Sequence, residues 1–305
     1  MNPILITGGA GFVGSNLARL LCEQKLKIRI LDNFSTGSMK NLRGLPAGVK
    51  IFKGDICDTK LLKNAVKGCK SIVHLAAQTS VALSVKDPLI TQEVNSEGTL
   101  KLLIAAKDAG TEKIIFFSSC AVYGDSGKMP SSAYGATKLA GELYCKTFLE
   151  LYGLKTIILR PFNIFGPRQN PNSEYSAVIP KFISAALRGK PPVIFGDGAQ
   201  TRDFIYVNDI INLVHNLLAS NKDRDCRQSY EIGSGKSVSV NELARAILSL
   251  ISPGIKPKYG PERAGEVKHS TANPVPAKKC LGFSNITPFQ KALKETVSWY
   301  VHSNS

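Results

Sequence analysis

Residues 5–21 read LITGGAGFVGSNLARLL, and no other stretch restricts the fold as much. A glycine inside a regular element costs about 0.5–1 kcal/mol relative to alanine. A cluster of them where a helix begins therefore needs a reason. Pro3 to Thr7 is a short apolar run that reads as a buried strand, and Leu17, Leu20 and Leu21 recur at helical spacing. Gly9, Gly11 and Gly14 thus satisfy G-x-G-x-x-G between a strand and a helix, with Gly8 on the same spacing. The first glycines permit a tight turn. Gly11 lets backbone approach a pyrophosphate, and Gly14 lets the helix pack on the strand. Exposed N–H groups and the helix dipole then hold the anion. Asp32 ends the second strand, 18 residues after Gly14. A carboxylate there accepts from both hydroxyls of an adenosine ribose and repels a 2′-phosphate, which favours NAD over NADP.

Strand patterns recur at Lys27–Leu31, Val49–Phe52, Ser71–Leu75, Lys113–Phe117 and Thr156–Leu159, with helical patterns between most of them, notably Val94–Ala109 and Tyr134–Leu151. Alternation of this kind implies βαβ units, and right-handed crossovers make the parallel sheet doubly wound. The expected architecture is α/β: a Rossmann-like domain over 1–162 and a smaller C-terminal substrate-binding lobe over 163–305. A strand at Phe204–Val207 and a helix at Ile210–Ala219 suggest that 203–220 returns to the first sheet.

The apolar fraction is 43% and the charged fraction 20%, ordinary values for a globular enzyme. No apolar run approaches the roughly 18 residues of a membrane span, and no basic leader precedes the glycines, so cytoplasmic residence is the expectation. The seven cysteines are scattered without a Cys-x-x-Cys, which points to free thiols and no metal. The net charge of +16 would suit a nucleic-acid binder, but Lys and Arg are dispersed along the chain in runs no longer than pairs. A basic surface serving a small acidic substrate fits that dispersal better, with neither nucleic acid nor membrane as partner.

Tyr134-Gly135-Ala136-Thr137-Lys138 opens a helix, and a spacing of four puts phenol and ammonium on one face. A neighbouring cation stabilises phenolate, so the tyrosine pKa is expected to fall from its usual value of about 10 towards neutrality. Such a phenol is a general base for a substrate hydroxyl.

The chain resembles the extended short-chain dehydrogenase/reductases, in particular the nucleotide-sugar 4-epimerases of the UDP-glucose/UDP-N-acetylglucosamine type. TGGAGFVGSNL, LDNFSTG, GDICD, VHLAAQTSV, SSCAVYGD, YGATKLAGE, RPFNIFGPRQNPNSEYSAVIPKFI, GDGAQTRDFIYVNDI and LKETVSWY echo that family in order along nearly the whole chain. The resemblance implies Tyr134 as base, Lys138 on the nicotinamide ribose and Ser119 on the sugar 4-hydroxyl. It implies an NAD site of Gly8, Gly11, Phe12, Val13, Gly14, Asp32, Asn33, Ser35, Thr36, Gly37, Leu75, Ala76 and Ala77, with Asp55 and Ile56 at the adenine and Asn95 in the supporting shell. For a UDP-sugar it implies Ser80, Val178, Ile179, Glu266 and Ser270, with Asn163, Arg202 and Arg263 at the phosphates. A homodimer through the helices near Val94–Ala109 and Tyr134–Leu151 is a further expectation.

Related 4,6-dehydratases carry Asp-Glu after the serine or threonine, whereas this chain has Cys120 and Ala121, which favours epimerisation through a transient 4-keto sugar. The family also includes UDP-glucuronate 4-epimerases and decarboxylases. Counting on from Arg263, Ser270 stands where a bulky tyrosine narrows the sugar pocket of relatives, so N-acetylated substrates are expected to fit as well. Between AVYGD and SAYGATK the chain is shorter than the family pattern, which raises a catalytically impaired NAD-binding protein as the rival reading.

Overall fold

The computed structural model describes every residue except 1, 125, 126, 128, 172–176, 221–227, 263–267, 285 and 305. The chain divides into two compact units, Met1–Pro161 with Ile211–Tyr230, and Phe162–Ile210 with Glu231–Ser305. The first carries strands β1 (Ile4–Thr7), β2 (Ile28–Asp32), β3 (Lys50–Lys53), β4 (Ser71–His74), β5 (Lys113–Phe117) and β6 (Lys155–Pro161). Its helices are α1 (Phe12–Glu23), α2 (Met39–Leu42), α3 (Thr59–Val66), α4 (Val81–Lys86), α5 (Pro88–Gln92), α6 (Gly98–Asp108) and α7 (Ala133–Tyr152). The second unit contributes β7 (Asn163–Phe165), β8 (Val193–Phe195) and β9 (Thr201–Tyr206), with α8 (Val178–Leu187). Helix α9 (Val207–Ala219) and strand β10 (Ser229–Ile232) cross the unit boundaries. The chain then runs through β11 (Ser237–Ser239), α10 (Val240–Ile251), β12 (Lys258–Gly260), β13 (His269–Ser270), α11 (Val275–Leu281) and α12 (Phe289–Asn304).

The main sheet has the order β10-β6-β5-β4-β1-β2-β3. The contacts from β6 to β3 are all parallel. Strand order therefore reverses between β1 and β4, and in open α/β sheets the crevice at such a reversal is where ligands bind. The strands read as continuous apolar runs because both faces are covered: Ile114 to Phe117 are all buried. Leu5, Ile72, Ile114, Phe116 and Ile158 pack with Leu62, Leu102, Leu103 and Phe148 in one apolar cluster. Among the described residues no helix is long and apolar enough to cross a membrane.

Two features differ from the sequence expectation. Strand β9, read at Phe204–Val207 and assigned with 203–220 to the first sheet, instead belongs to a four-stranded sheet of the second unit, where it pairs with β7, β11 and β13. The segment that returns is Ile211–Tyr230. Its arrival is marked by Lys113, whose ammonium donates to Leu217 O and Ser220 O, each at 2.8 Å. The helix read at Val94–Ala109 begins with a π-helical turn, Glu93–Glu97, wedged between α5 and α6.

Candidate active site

The glycine turn follows β1 directly. Gly8 has φ +71°, and a Cβ there would lie 2.8 Å from Ala76 N and 2.9 Å from Leu75 C. The turn is thus pressed against the end of β4, at the sheet's switch point. A Cβ on Gly14 would meet Gly8 O at 2.2 Å, so α1 sits on the turn at this position. Gly11 differs: its Cβ would meet only Gly8 O, at 3.2 Å, and otherwise open space. Gly11 caps α1 without a side-chain hydrogen bond, and the first helical turn, from Phe12 and Val13, carries no acid. The helix end therefore offers bare N–H groups and an uncompensated dipole, which suits a diphosphate.

Asp32 is buried (6% exposed) at the end of β2. Its Oδ2 accepts from Ala10 N–H at 2.8 Å and its Oδ1 from Phe34 N–H at 2.8 Å. Each hydrogen bond to a charged group is worth about 1.5–3 kcal/mol. Asp32 therefore locks the glycine turn to the following loop and still has lone pairs for ribose hydroxyls. Gly37 abuts this carboxylate, since a Cβ there would be 2.9 Å from Oδ1. Asn33 accepts from Ser35 N–H at 3.0 Å and donates to Asp55 Oδ2 at 2.7 Å. Burial raises the Asp55 carboxyl, but the Cys57 N–H and Asn33 amide outweigh it and leave the pKa below its ordinary value. Thr36 belongs to the same loop. A cavity of about 460 Å³ opens beside this segment, lined by Phe34, Gly37, Ser38, Met39, Ile51 and Lys53. The cradle thus fits a dinucleotide: room over Gly11, donors at α1 and a fixed carboxylate at β2. Ile56 is a core residue at 3% exposure.

Beyond β4, Ala76 N–H donates to Thr7 Oγ1 at 3.2 Å. Thr7 contacts His74 Nδ1 at 2.8 Å, and His74 Nε2 contacts Thr99 Oγ1 at 2.9 Å. Thr99 donates its own proton to Asn95 O at 2.5 Å. The Thr99 oxygen must then accept from Nε2–H, leaving Nδ1 to accept from Thr7. Burial, with Lys138 nearby, pushes His74 down to about 3, so the ring stays neutral. Asn95 stands on the π turn. Its amide accepts from Gln78 N–H at 2.7 Å and donates to Gln78 O at 2.9 Å and to Thr137 Oγ1 at 3.2 Å. It thereby ties the Ala76–Gln78 loop, including Ala77, to α7. Ser80 caps α4 by accepting from Leu83 N–H at 3.0 Å.

Tyr134 and Lys138 lie on the first turns of α7, both buried. Ser132 caps this helix, accepting from Gly135 N–H at 3.1 Å. A Cβ on Gly135 would strike Ala121 O at 2.4 Å, so α7 begins directly over the 3₁₀ turn Cys120–Tyr123. Ser119 accepts from Ala121 N–H at 3.1 Å, which leaves its own proton for the Tyr134 phenol, whose pKa it lowers. The structure therefore brings Ser119 and Tyr134 together, whereas Lys138, buried on the same helix, turns its ammonium to Phe117 O.

The expected depression of the Tyr134 pKa is opposed by burial. Burial pushes the phenol up to about 12; Ser119 pulls it down and Cys120 adds to the rise. Spacing placed the ammonium on the right face, but Lys138 Nζ donates to Phe117 O at 2.8 Å and lies over the Phe116 ring. Burial lowers Lys138 to about 8, opposed by Cys145 and Glu142. Ser126 and Lys128 of the short connection lie outside the described residues. A Cβ on Gly124 (φ +57°) would meet Met129 O at 2.0 Å, so Gly124 lies close against Met129.

In the second unit, Asn163 of β7 donates to Asp203 O at 2.9 Å, and Ser270 of β13 is the register partner of Arg202 on β9. Three of the proposed substrate residues therefore share one sheet. Asp203, which the sequence reading passed over, is fully buried and accepts from the backbone of Ser234, Gly235 and Ala272, fixing Arg202's neighbour. A cleft of about 230 Å³ lies alongside, lined by Phe195, Gln200, Glu262, Lys268 and His269 among others. Val178 opens α8 half-buried, whereas Ile179 is 1% exposed and packs in the core. Arg263 and Glu266 fall outside the described residues.

Residues 4–233 match the model of the NAD dependent epimerase/dehydratase family. The chain belongs to that family. It is 36% identical to a putative UDP-glucose 4-epimerase of Methanocaldococcus jannaschii, over 99% of each chain. It superposes on a UDP-N-acetylglucosamine 4-epimerase from Methanobrevibacter ruminantium, solved with UDP-N-acetylmuramic acid, with TM-score 0.92 and 39% identity over 99% of each chain. A Thermus thermophilus UDP-glucose 4-epimerase solved with NAD matches with TM-score 0.87 and 31% identity, over 98% of this chain and 99% of that one. Family relatives also include dTDP-D-glucose 4,6-dehydratases and a UDP-glucuronate 4-epimerase. The family is NAD-dependent, in agreement with the Gly11 cradle and with Asp32. The fold is the mostly parallel Rossmann-like α/β sheet that the motifs implied.

Proposed function

We propose that the chain catalyses 4-epimerisation of a UDP-hexose, with bound NAD. The observation that carries this reading is the placing of Tyr134, at the start of α7, directly over the turn that Ser119 caps, whose next residues are Cys120 and Ala121. NAD, when bound, supplies reversible hydride acceptance at the sugar carbon, so that a 4-keto sugar forms transiently. Tyr134, as the phenolate that Ser119 favours, takes the 4-hydroxyl proton and later returns it. Ser119 donates to the phenol and orients it, and Lys138 would hold the nicotinamide ribose. Neither Cys120 nor Ala121 places a carboxyl where elimination of water would need one, which argues against dehydration.

Asn163, Arg202 and Arg263 take the diphosphate, with Ser80, Val178, Ile179 and Glu266 completing the UDP-sugar contacts; for Ile179 its burial restricts this to backbone. Ser270 leaves room for an N-acetyl group. Ile104, Leu143 and Leu151 are exposed on α6 and α7, which supports a homodimer through those helices.

The test is a panel of UDP-glucose, UDP-galactose, their N-acetyl forms and UDP-glucuronate, read by product stereochemistry, with NAD released by denaturation assayed alongside. Inversion at C4 of a UDP-hexose with NAD present is expected. NAD present with no turnover of any member would leave a cofactor-binding protein without this activity and overturn the reading.

A further inference from the structure

Glu142 lies two turns beyond Tyr134 and one beyond Lys138, on the same face of α7, and is fully buried. A carboxylate so placed demands several donors, and it has four. Arg160, at the end of β6, donates from Nε to Oε1 at 2.8 Å and from Nη2 to Oε2 at 2.6 Å. The Ser118 hydroxyl donates to Oε1 at 2.5 Å, and the Ser229 hydroxyl to Oε2 at 2.7 Å. Burial raises the Glu142 carboxyl, but these donors, Arg160 foremost, hold it below its ordinary value and so charged. The remaining arm of Arg160 donates from Nη1 to Tyr123 Oη at 2.9 Å, with the guanidinium 4.9 Å from the centre of that ring.

Ser118 precedes Ser119, and Tyr123 ends the 3₁₀ turn that Ser119 caps. One ion pair therefore grips both sides of Ser119 and fastens them to the helix bearing Tyr134. We propose that the buried Glu142–Arg160 pair is the positioning element of this site, holding Ser119 in place against the start of the helix that bears Tyr134 through Ser118 and Tyr123. A buried ion pair is weak evidence for stability, because well-packed apolar side chains often replace one at no loss. Its presence between the two catalytic segments is better explained by geometry.

The inference rests on the roles given above to Ser119 and Tyr134, and its test separates the two. The NAD-loaded protein is compared with Ser118→Ala and with Glu142→Met/Arg160→Met, which removes both charges together and leaves no buried ion unpaired. Four quantities are read: kcat, KM, NAD released per chain, and the phenolate absorbance titration of Tyr134, obtained by difference from Tyr134→Phe. Tyr134 is faced by Ser119 and Cys120 from the turn and by Lys138 along its own helix. Because Ser119 lowers the phenol pKa, loss of its position moves the Tyr134 titration to higher pH. In the double variant kcat is expected to fall about 100-fold, the cost typical of a small misplacement, with KM and NAD content near those of the parent. Ser118→Ala is expected to fall about 10-fold, with a smaller shift of the same sign. An unshifted Tyr134 titration in both variants overturns the positioning role, whatever happens to the melting temperature. The titration can be read even if no UDP-hexose is turned over, in which case the activity reading fails and this one is still decided.

Discussion

Tyr134 and Lys138 stand four residues apart on one helix, and the family resemblance adds Ser119 to them. What spacing could not convey is burial. It placed the ammonium near the phenol, and the structure shows a phenol whose neighbours are Ser119 and Cys120 and whose pKa burial pushes up to about 12. Glu142 continued the same stripe and was readable in principle, but Arg160, its partner from β6, is brought to it only by the sheet. His74 was passed over for the same reason: its two threonine partners are 67 and 25 residues away. Its neutrality has a consequence. The folded chain holds it near 3, whereas an unfolded histidine titrates near 6.5. This contribution is complete above about 6.5 and is lost as pH falls from there towards 3. Urea midpoints measured across that window should decline more steeply for the parent than for His74→Asn, and identical slopes would show that His74 is not the group responsible. Specificity belongs to this scale too. Ser270→Tyr should suppress turnover of UDP-N-acetylhexoses at least about 10-fold more than that of UDP-hexoses. Equal loss on both would remove Ser270 from the sugar pocket.

Among elements, the strand–turn–helix at the start of the chain was the most fully legible, since each glycine does a separable task there. Gly14 has no room, because a Cβ added there would lie 2.2 Å from Gly8 O, while Gly11 has room on all sides but one. Gly14→Ala should therefore destabilise the fold by about 1–3 kcal/mol through overpacking. Gly11→Ala should leave the NAD-free melting temperature close to the parent's and lose NAD binding. Calorimetry with and without NAD distinguishes the two, and an equal drop in stability for both would show that Gly11 is not reserved for a ligand. The π turn at Glu93–Glu97 left no periodicity signal, because one inserted residue merely offsets the pattern. Its role emerges only from where Asn95 points. The small sheet of β7, β9, β11 and β13 was also illegible: strands of two to six residues joined by long segments carry too little alternation to be paired by eye.

For the whole molecule, the doubly wound class was readable from alternation alone, and a return of chain after residue 203 was read too, but not its bounds. Pattern showed a strand and helix after residue 203, and only pairing shows that the strand stays with the second unit while Ile211–Tyr230 returns to the first. Exposed apolar residues on α6 and α7 belong to this scale, and Ile104→Glu with Leu143→Glu should halve the mass seen by light scattering while leaving bound NAD in place. An unchanged mass would locate any dimer contact elsewhere. The central claim is that a buried phenol, oriented by Ser119, carries the proton of the sugar hydroxyl. Tyr134→Phe, purified with NAD content equal to the parent's, should interconvert UDP-galactose and UDP-glucose at least about 100-fold more slowly; interconversion at the parental rate would contradict the account.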